Sequence, residues 1–200
     1  MRPFRFAVSA THAASGREWR ENARRVEDLG YDVLLVTDHV TEQLAPLPAL
    51  VAAADVTSRL RIGSFVFDND YRNPVMLAKE AATVDLLSDG RLELGLGSAA
   101  ERIARLRAVA GGRLERIELN VIVFDARVTD LRRSLAESVS AWLGAAVTAV
   151  LRTPFFLYGS RRSIVEDLLE RRERLGISYI ALPERAMRSF APIVAELRGK

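Results

Sequence analysis

Three short stretches place polar or glycine-rich residues directly after apolar runs, and these are where the chain could do chemistry. They are Thr37-Asp38-His39, Asp68-Asn69-Asp70 and Gly95-Leu96-Gly97-Ser98. An imidazole can donate or accept a hydrogen bond near neutral pH and can serve as acid or base, and His39 has Asp38 beside it to orient it. The plainer alternative makes Asp38 a helix cap and His39 a bystander. The Asp68-Asn69-Asp70 cluster lacks the glycine and the closing glutamate of a calcium loop, so a solvated turn is expected there and no metal. Gly95 and Gly97, with Ala100 in third place, loosely match a dinucleotide-binding loop, with Asp125 beyond a later strand as the acidic residue. Such a loop normally follows the first strand of its sheet, with the acid about 20 residues on. Both conditions are missed, yet a Rossmann-like nucleotide binder stays open as an alternative. His12 lies in a polar loop and is expected on the surface.

These stretches fall at the ends of expected strands. Residues 4–9 read as a strand. Ser15 and Glu18 form a capping box for a helix in which Trp19, Ala23, Val26 and Leu29 recur at helical spacing and Gly30 is the stop. The continuous apolar run 33–36 reads as a strand buried on both faces. Residues 47–54 are helical in composition, 60–67 are strand, Pro74 opens a helix over 75–87, Asp89-Gly90 is a turn, and 92–96 is a fourth strand. Strict alternation of strand and helix over 1–97 argues for a parallel sheet with right-handed crossovers. Beyond it, the pattern gives a helix near 99–110 stopped by Gly111-Gly112 and a strand over 117–124. Helical sequence follows over 131–151, broken near Gly144, then a short strand or loop at 155–158. Ser160 caps a helix carrying Ile164, Leu168 and Leu175, a last strand covers 177–182, and a final helix holds Phe190, Ile193 and Leu197. The echo between RVEDLGYDV at 25–33 and RERLGISY at 172–179 fits a repeated β/α unit. Trp19, Tyr31, Tyr179 and Phe190 fall on core positions. No linker or low-complexity segment interrupts the chain, and residues 1–200 are expected to form one domain.

Composition narrows the chemistry. Hydrophobic residues are 49% of the 200, and charged residues 28%, which is globular. The 29 Lys and Arg against 26 Asp and Glu leave a net charge of +3, with aromatics at only 7% and not interleaved with arginine, so no nucleic-acid partner is expected. Cysteine is absent and histidine occurs twice, which excludes disulfide frameworks, thiolate metal sites and cysteine nucleophiles. The N-terminal residues lack a signal-peptide apolar run, and the mostly apolar stretch 141–151 is too short to span a bilayer. A cytoplasmic protein without a membrane partner is the expectation.

The run RNPVMLAKEAATVDLLSDGRLELGLG at 72–97 resembles the signature of luciferase-like monooxygenases, as do EDLGYDVLLVTDH at 27–39, LRIGSFVF at 60–67 and VEDLLERRERLGISYI at 165–180. The likeness covers most of the chain. It is nearest in flavour to the actinobacterial branch that uses the deazaflavin coenzyme F420, whereas other branches use FMN. The resemblance implies a (β/α) TIM-barrel-like oxidoreductase passing hydride between a flavin or deazaflavin ring and a small organic substrate. It implies that Asp38 and His39 touch the ring or substrate. It further implies that a non-proline cis peptide lies among Ser64, Phe65 and Val66, at Phe65–Val66, and braces the ring. Ser9, Gly95, Gly97 and Ser98 would stand beside the cofactor, with Glu101 the nearest match to an acidic residue some members use.

The chain also departs from the family. A plain barrel has roughly 250 residues, and here six strands are expected, with the family's fifth and sixth missing together with the glycine-rich loop that holds a cofactor phosphate. Nothing remaining replaces that loop. The shortened (β/α) barrel could bind F420 or FMN through its first four strand ends. It could instead have lost the cofactor and persist as a degenerate binding or structural paralogue. An opened parallel sheet leaves edges and apolar surface bare, so a homodimer is expected.

Overall fold

The structure, a computed structural model, describes residues 2–39, 42–68, 72–97, 120–144 and 146–200. The contacts of the chain gather into two compact units, residues 9–118 and residues 1–8 with 119–200.

In the unit 9–118, helix α1 (Gly16–Asp28) begins where the sequence sets it. The Ser15 hydroxyl accepts from the Glu18 N–H, and the Glu18 carboxylate reaches back to the Ala14 N–H at 2.7 Å. The box therefore closes one residue earlier than Ser15. Gly30 at φ 83° ends the segment, a conformation that glycine adopts without strain. Strand β2 (Val33–Val36) is buried along its whole length. Helix α2 (Pro46–Ala54) packs beside α1, and the Trp19 indole Nε1 donates to the Ala49 carbonyl at 2.8 Å. Buried indole N–H groups need such a partner. Strand β3 (Arg61–Ser64) pairs in parallel with β2, Val36 opposite Ser64.

The strand expected over 60–67 is two strands, not one. After β3 the Phe65–Val66 peptide is cis, where the family resemblance places it, and β4 (Phe67–Asp68) follows. The strand expected over 92–96 is divided in the same way, into β5 (Leu92–Glu93) and β6 (Leu96–Gly97). β3 pairs with β5 and β4 with β6, both in parallel. Between the two pairs the Ser64 hydroxyl donates to the Gly95 carbonyl at 2.8 Å and accepts from the Gly95 N–H at 3.1 Å. A side-chain hydroxyl thus replaces the interrupted ladder rung. Helix α3 (Pro74–Leu87) joins the two strand pairs, with the Asn73 side chain accepting from the Val75 and Met76 N–H groups.

In the other unit, β1 (Arg5–Ser9) enters with Phe6, Ala7 and Val8 fully buried. β7 (Asn120–Ile122) pairs in parallel with β10 (Tyr179–Pro183), Tyr179 opposite Asn120. Sequence reading misses β8 (Asp125–Val128), which pairs with β9 (Phe156–Gly159) in parallel. Its residues DARV alternate polar and apolar over only four positions, with two charges and one β-branched side chain, too short a run to mark a strand locally; the pairing with β9 makes it one. The helical stretch 131–151 divides into α4 (Arg132–Leu143) and α5 (Val147–Arg152), with Gly144 left-handed at φ 64° between them. Ser160 caps α6 (Arg161–Leu175), and α7 (Met187–Leu197) buries Phe190, Ile193 and Leu197. Trp19, Tyr31, Tyr179 and Phe190 are all core residues. The expected helix near 99–110, its Gly111-Gly112 stop, and the first part of the strand over 117–124 lie outside the described residues. No described helix is long and apolar enough to cross a membrane.

Candidate functional site

Parallel β/α units carry their chemistry at the carboxyl ends of the strands. In the unit 9–118 these ends lie side by side. Ala10, just past β1, donates its N–H to the Leu35 carbonyl of β2 at 3.0 Å. The Phe65 N–H donates to the Val36 carbonyl at 2.8 Å, and the Phe67 N–H to the Gly95 carbonyl at 2.8 Å. Ser9, Thr37, Ser64, Phe65, Val66 and Gly95 therefore fall on consecutive strand ends. Ser9, Phe65, Val66 and Gly95 are partly exposed, whereas Ser64 is buried. Gly97 closes β6. Ser98 and Glu101, and Asn69 and Asp70 of the acidic cluster, lie outside the described residues.

Asp38 and His39 follow β2 directly. His39 is exposed. Asp38 turns both carboxylate oxygens to one guanidinium: Arg72 Nε donates at 2.9 Å and Nη2 at 2.7 Å. The hydrogen bonds to Asp38 outweigh burial and push Arg72 above the ordinary guanidinium range. The Arg72 guanidinium also lies 4.7 Å from the centre of the Phe67 ring. Arg72 is the site residue that sequence reading misses. It opens the RNPVMLAKE run but looks there like the residue before a helix cap, and only the fold carries it to position 38.

Two cavities open among the described residues of this unit. A small one of about 410 Å³ is lined by His12, Ala13, Ala14, Glu18, Glu42, Gln43 and Leu44. His12 is exposed, as expected, with Nδ1 at 2.7 Å from the Thr11 hydroxyl, and it stands at this mouth. The Thr37 hydroxyl donates to Gln43 Oε1 at 2.6 Å, fastening the loop after β2 to the strand end. A wider groove of about 830 Å³ runs between α2 and α3, with Arg72, Met76 and Leu87 among its walls. His39 lines neither cavity. Among the described residues no three His, Asp or Glu side chains converge to hold a metal.

The features that suggested a dinucleotide loop have other employment. A Cβ on Gly95 would run into the Ser64 carbonyl oxygen, so glycine there is demanded by strand packing. Asp125 accepts from the Tyr158 hydroxyl at 3.0 Å and pairs with Arg127 at 3.1 Å and Arg185 at 3.2 Å. Desolvation, and then the bond to Asp125, raise Tyr158 above the ordinary phenol range.

Comparison with known proteins places the chain. A family model for luciferase-like monooxygenases matches residues 1–128. The F420-dependent glucose-6-phosphate dehydrogenase of Amycolatopsis mediterranei is 38% identical over 93 residues, which is 41% of this chain and 27% of that protein. The chain thus spans about a quarter of the length of that curated relative. Among solved structures, an F420-dependent secondary alcohol dehydrogenase in complex with an F420–acetone adduct aligns over 99% of this chain and 100% of its own, with a TM-score of 0.71 at 11% identity. The coenzyme F420 dependent tetrahydromethanopterin reductase from Methanopyrus kandleri aligns over 98% of this chain and 100% of its own, with a TM-score of 0.70 at 11% identity. Identity this low speaks for the fold alone, which is the α/β, TIM-barrel-like fold in shortened form. On the match over residues 1–128, the chain belongs to the luciferase-like monooxygenase family.

Proposed function

We propose that the protein is an oxidoreductase that takes a deazaflavin or flavin cofactor, F420 ahead of FMN, and passes hydride between it and a small organic substrate. The observation that carries this reading is the row of strand ends in residues 9–97, where Asp38 and His39 stand next to the ends of β3 and β4. F420 comes ahead of FMN because the relative and the solved structures named above are F420-dependent by name. The donor set fits the ring of such a cofactor. It combines an exposed imidazole, a charge-balanced carboxylate and guanidinium, and partly exposed backbone and hydroxyl groups at Ser9, Phe65 and Val66, all able to meet the polar edge of a flat heterocycle.

When bound, the reduced cofactor would supply the hydride. His39 would hold or release the proton that accompanies it, Asp38 would set the imidazole's place, and the strand ends up to Gly97 would bear on the ring. Titrating the purified protein with F420 and with FMN, followed by cofactor fluorescence, tests the reading. Saturable binding is expected, weakened about fivefold by His39→Ala, as loss of one hydrogen bond implies. Binding of neither cofactor would leave the degenerate paralogue as the better description.

One observation favours association of two copies as a second feature. Helix α3 exposes Val75, Met76, Leu86 and Leu87, at 75, 52, 77 and 61% of their surface. Four large apolar side chains on one helix exceed the scatter of single exposed hydrophobes normal on a monomer surface. A homodimer seated on α3 accounts for them. Cytoplasmic placement is part of the same proposal, and cell fractionation checks it.

A further inference from the structure

An ion pair ties the end of β2 to the start of α3. The Arg72 guanidinium meets the Asp38 carboxylate through two parallel bonds, 2.9 and 2.7 Å long, a geometry that ammonium groups cannot reproduce. The pair is partly withdrawn from water, with side-chain exposures of 23% for Arg72 and 10% for Asp38. The other face of the arrangement is fixed too: the guanidinium lies over the ring of Phe67, which is fully buried at the head of β4. Three segments, the residues after β2, the start of β4 and the residues before α3, thus meet in one stack. An exposed ion pair of two long side chains contributes almost nothing to stability. This one is bidentate, half-buried and braced against a core ring, so it holds a defined position.

The residue held is the immediate neighbour of His39. Asp38 lies outside the regular strand, and its side chain is the anchor for the backbone that carries the imidazole. We propose that Arg72 is a positioning residue for His39, acting through Asp38, and that the Asp38–Arg72–Phe67 stack sets where the imidazole stands at the strand-end rim. The inference rests on the reading of His39 as a cofactor or substrate contact, and it adds the residue that makes this contact reproducible.

The test uses the whole chain with Arg72→Gln, Arg72→Lys, Asp38→Asn and the Asp38→Asn/Arg72→Gln double variant. The sequence has two histidines, so a proton–carbon correlation spectrum shows two imidazole Cε1–H signals, one from each ring, with His12 as internal reference. Arg72→Gln is expected to move or broaden the His39 signal and leave that of His12 in place. It is also expected to weaken F420 binding about tenfold, the scale of one charge-assisted contact. Arg72→Lys, which keeps the charge and loses the fork, recovers less than half of that loss on a logarithmic scale. In the Asp38→Asn background, Arg72→Gln adds nothing further.

An unmoved His39 signal in a folded Arg72→Gln protein overturns the proposal, as do strictly additive effects in the double variant. Should Arg72→Gln fail to fold, Arg72→Lys against the wild type decides by the same two readouts. Should the wild type bind neither F420 nor FMN, the functional reading falls, and the imidazole spectra alone still decide whether Arg72 positions His39.

Discussion

Replacing Gly95 by alanine puts a methyl group into the Ser64 carbonyl oxygen. Backbone cannot step aside as a flexible side chain can, so overpacking of about 1–3 kcal/mol is expected. Thermal unfolding reads it as a Tm lower by roughly 2–4 °C per kcal/mol for a chain of this size. A cofactor-only role for Gly95 would leave the Tm unchanged. Glu27 shows a different residue-scale effect. Burial raises its carboxyl, but bonds from the Arg59, Leu60 and Ser58 N–H groups, at 2.6, 2.8 and 3.0 Å, prevail and hold it below the ordinary carboxylate range. A lowered folded value means the unfolded chain binds the proton more tightly. The contribution is therefore complete above the unfolded value of about 4.3 and drains away as pH falls through the folded one. Glu27→Gln should cost about 1 kcal/mol at pH 7 after allowing for solvent contact, and less at pH 3. Denaturant midpoints at the two pH values check this, and an equal loss at both would remove Glu27 from the acid response. Neither role shows in the sequence, where Gly95 reads as a loop glycine and Glu27 as one more solvated acid. Both depend on partners more than thirty positions away.

At the scale of elements, one arginine splices three of them. Arg91 donates from Nε to the Ser88 carbonyl at 2.7 Å, from Nη1 to the Leu60 carbonyl at 3.0 Å, and from Nη2 to the Ala54 carbonyl at 3.0 Å. Ala54 ends α2, Ser88 follows α3, and Leu60 precedes β3. Helix carbonyls at a C-terminus have no partner within the helix, and a planar cation fits them. Lysine keeps the charge and loses the fork, so Arg91→Lys is expected to cost about 2 kcal/mol in urea unfolding. A loss below about 0.5 kcal/mol, the range of ordinary surface changes, would show the splice to be incidental. In the other unit Arg171 has the same job. It is 5% exposed, and burial holds it below the ordinary guanidinium range while it donates to the Leu151 and Phe156 carbonyls. The elements themselves were largely legible. Caps at Ser15 and Ser160, Pro74 opening α3, and left-handed Gly30 and Gly144, are local chemistry that a sequence displays. The divided strands were not. Ser64 and Gly95 interrupt their ladders together, and pairing of that kind is a property of two strands at once.

For the whole molecule, family membership was readable because the signature at 72–97 combines a capped helix, a turn and a strand in fixed order. The site was readable only in part. Asp38 and His39 stand where the strand pattern puts them, whereas Arg72, thirty-four positions later, reaches Asp38 only through the fold. Association belongs to this scale as well. With Leu86 and Leu87 exposed on α3, light scattering on the purified protein is expected to give the mass of two chains. Leu86→Glu with Leu87→Glu should return one chain and leave the circular dichroism spectrum intact. A wild-type monomer that binds no hydrophobic dye would refute the association.

Every described candidate for cofactor chemistry, from Ser9 to Gly97, belongs to the compact unit of residues 9–118, and the other unit supplies none of them. On the proposed reading, such concentration makes the cofactor face a detachable module in the evolutionary sense. Insertions and losses further along the gene can rework the remainder of the barrel while the working surface is inherited unaltered.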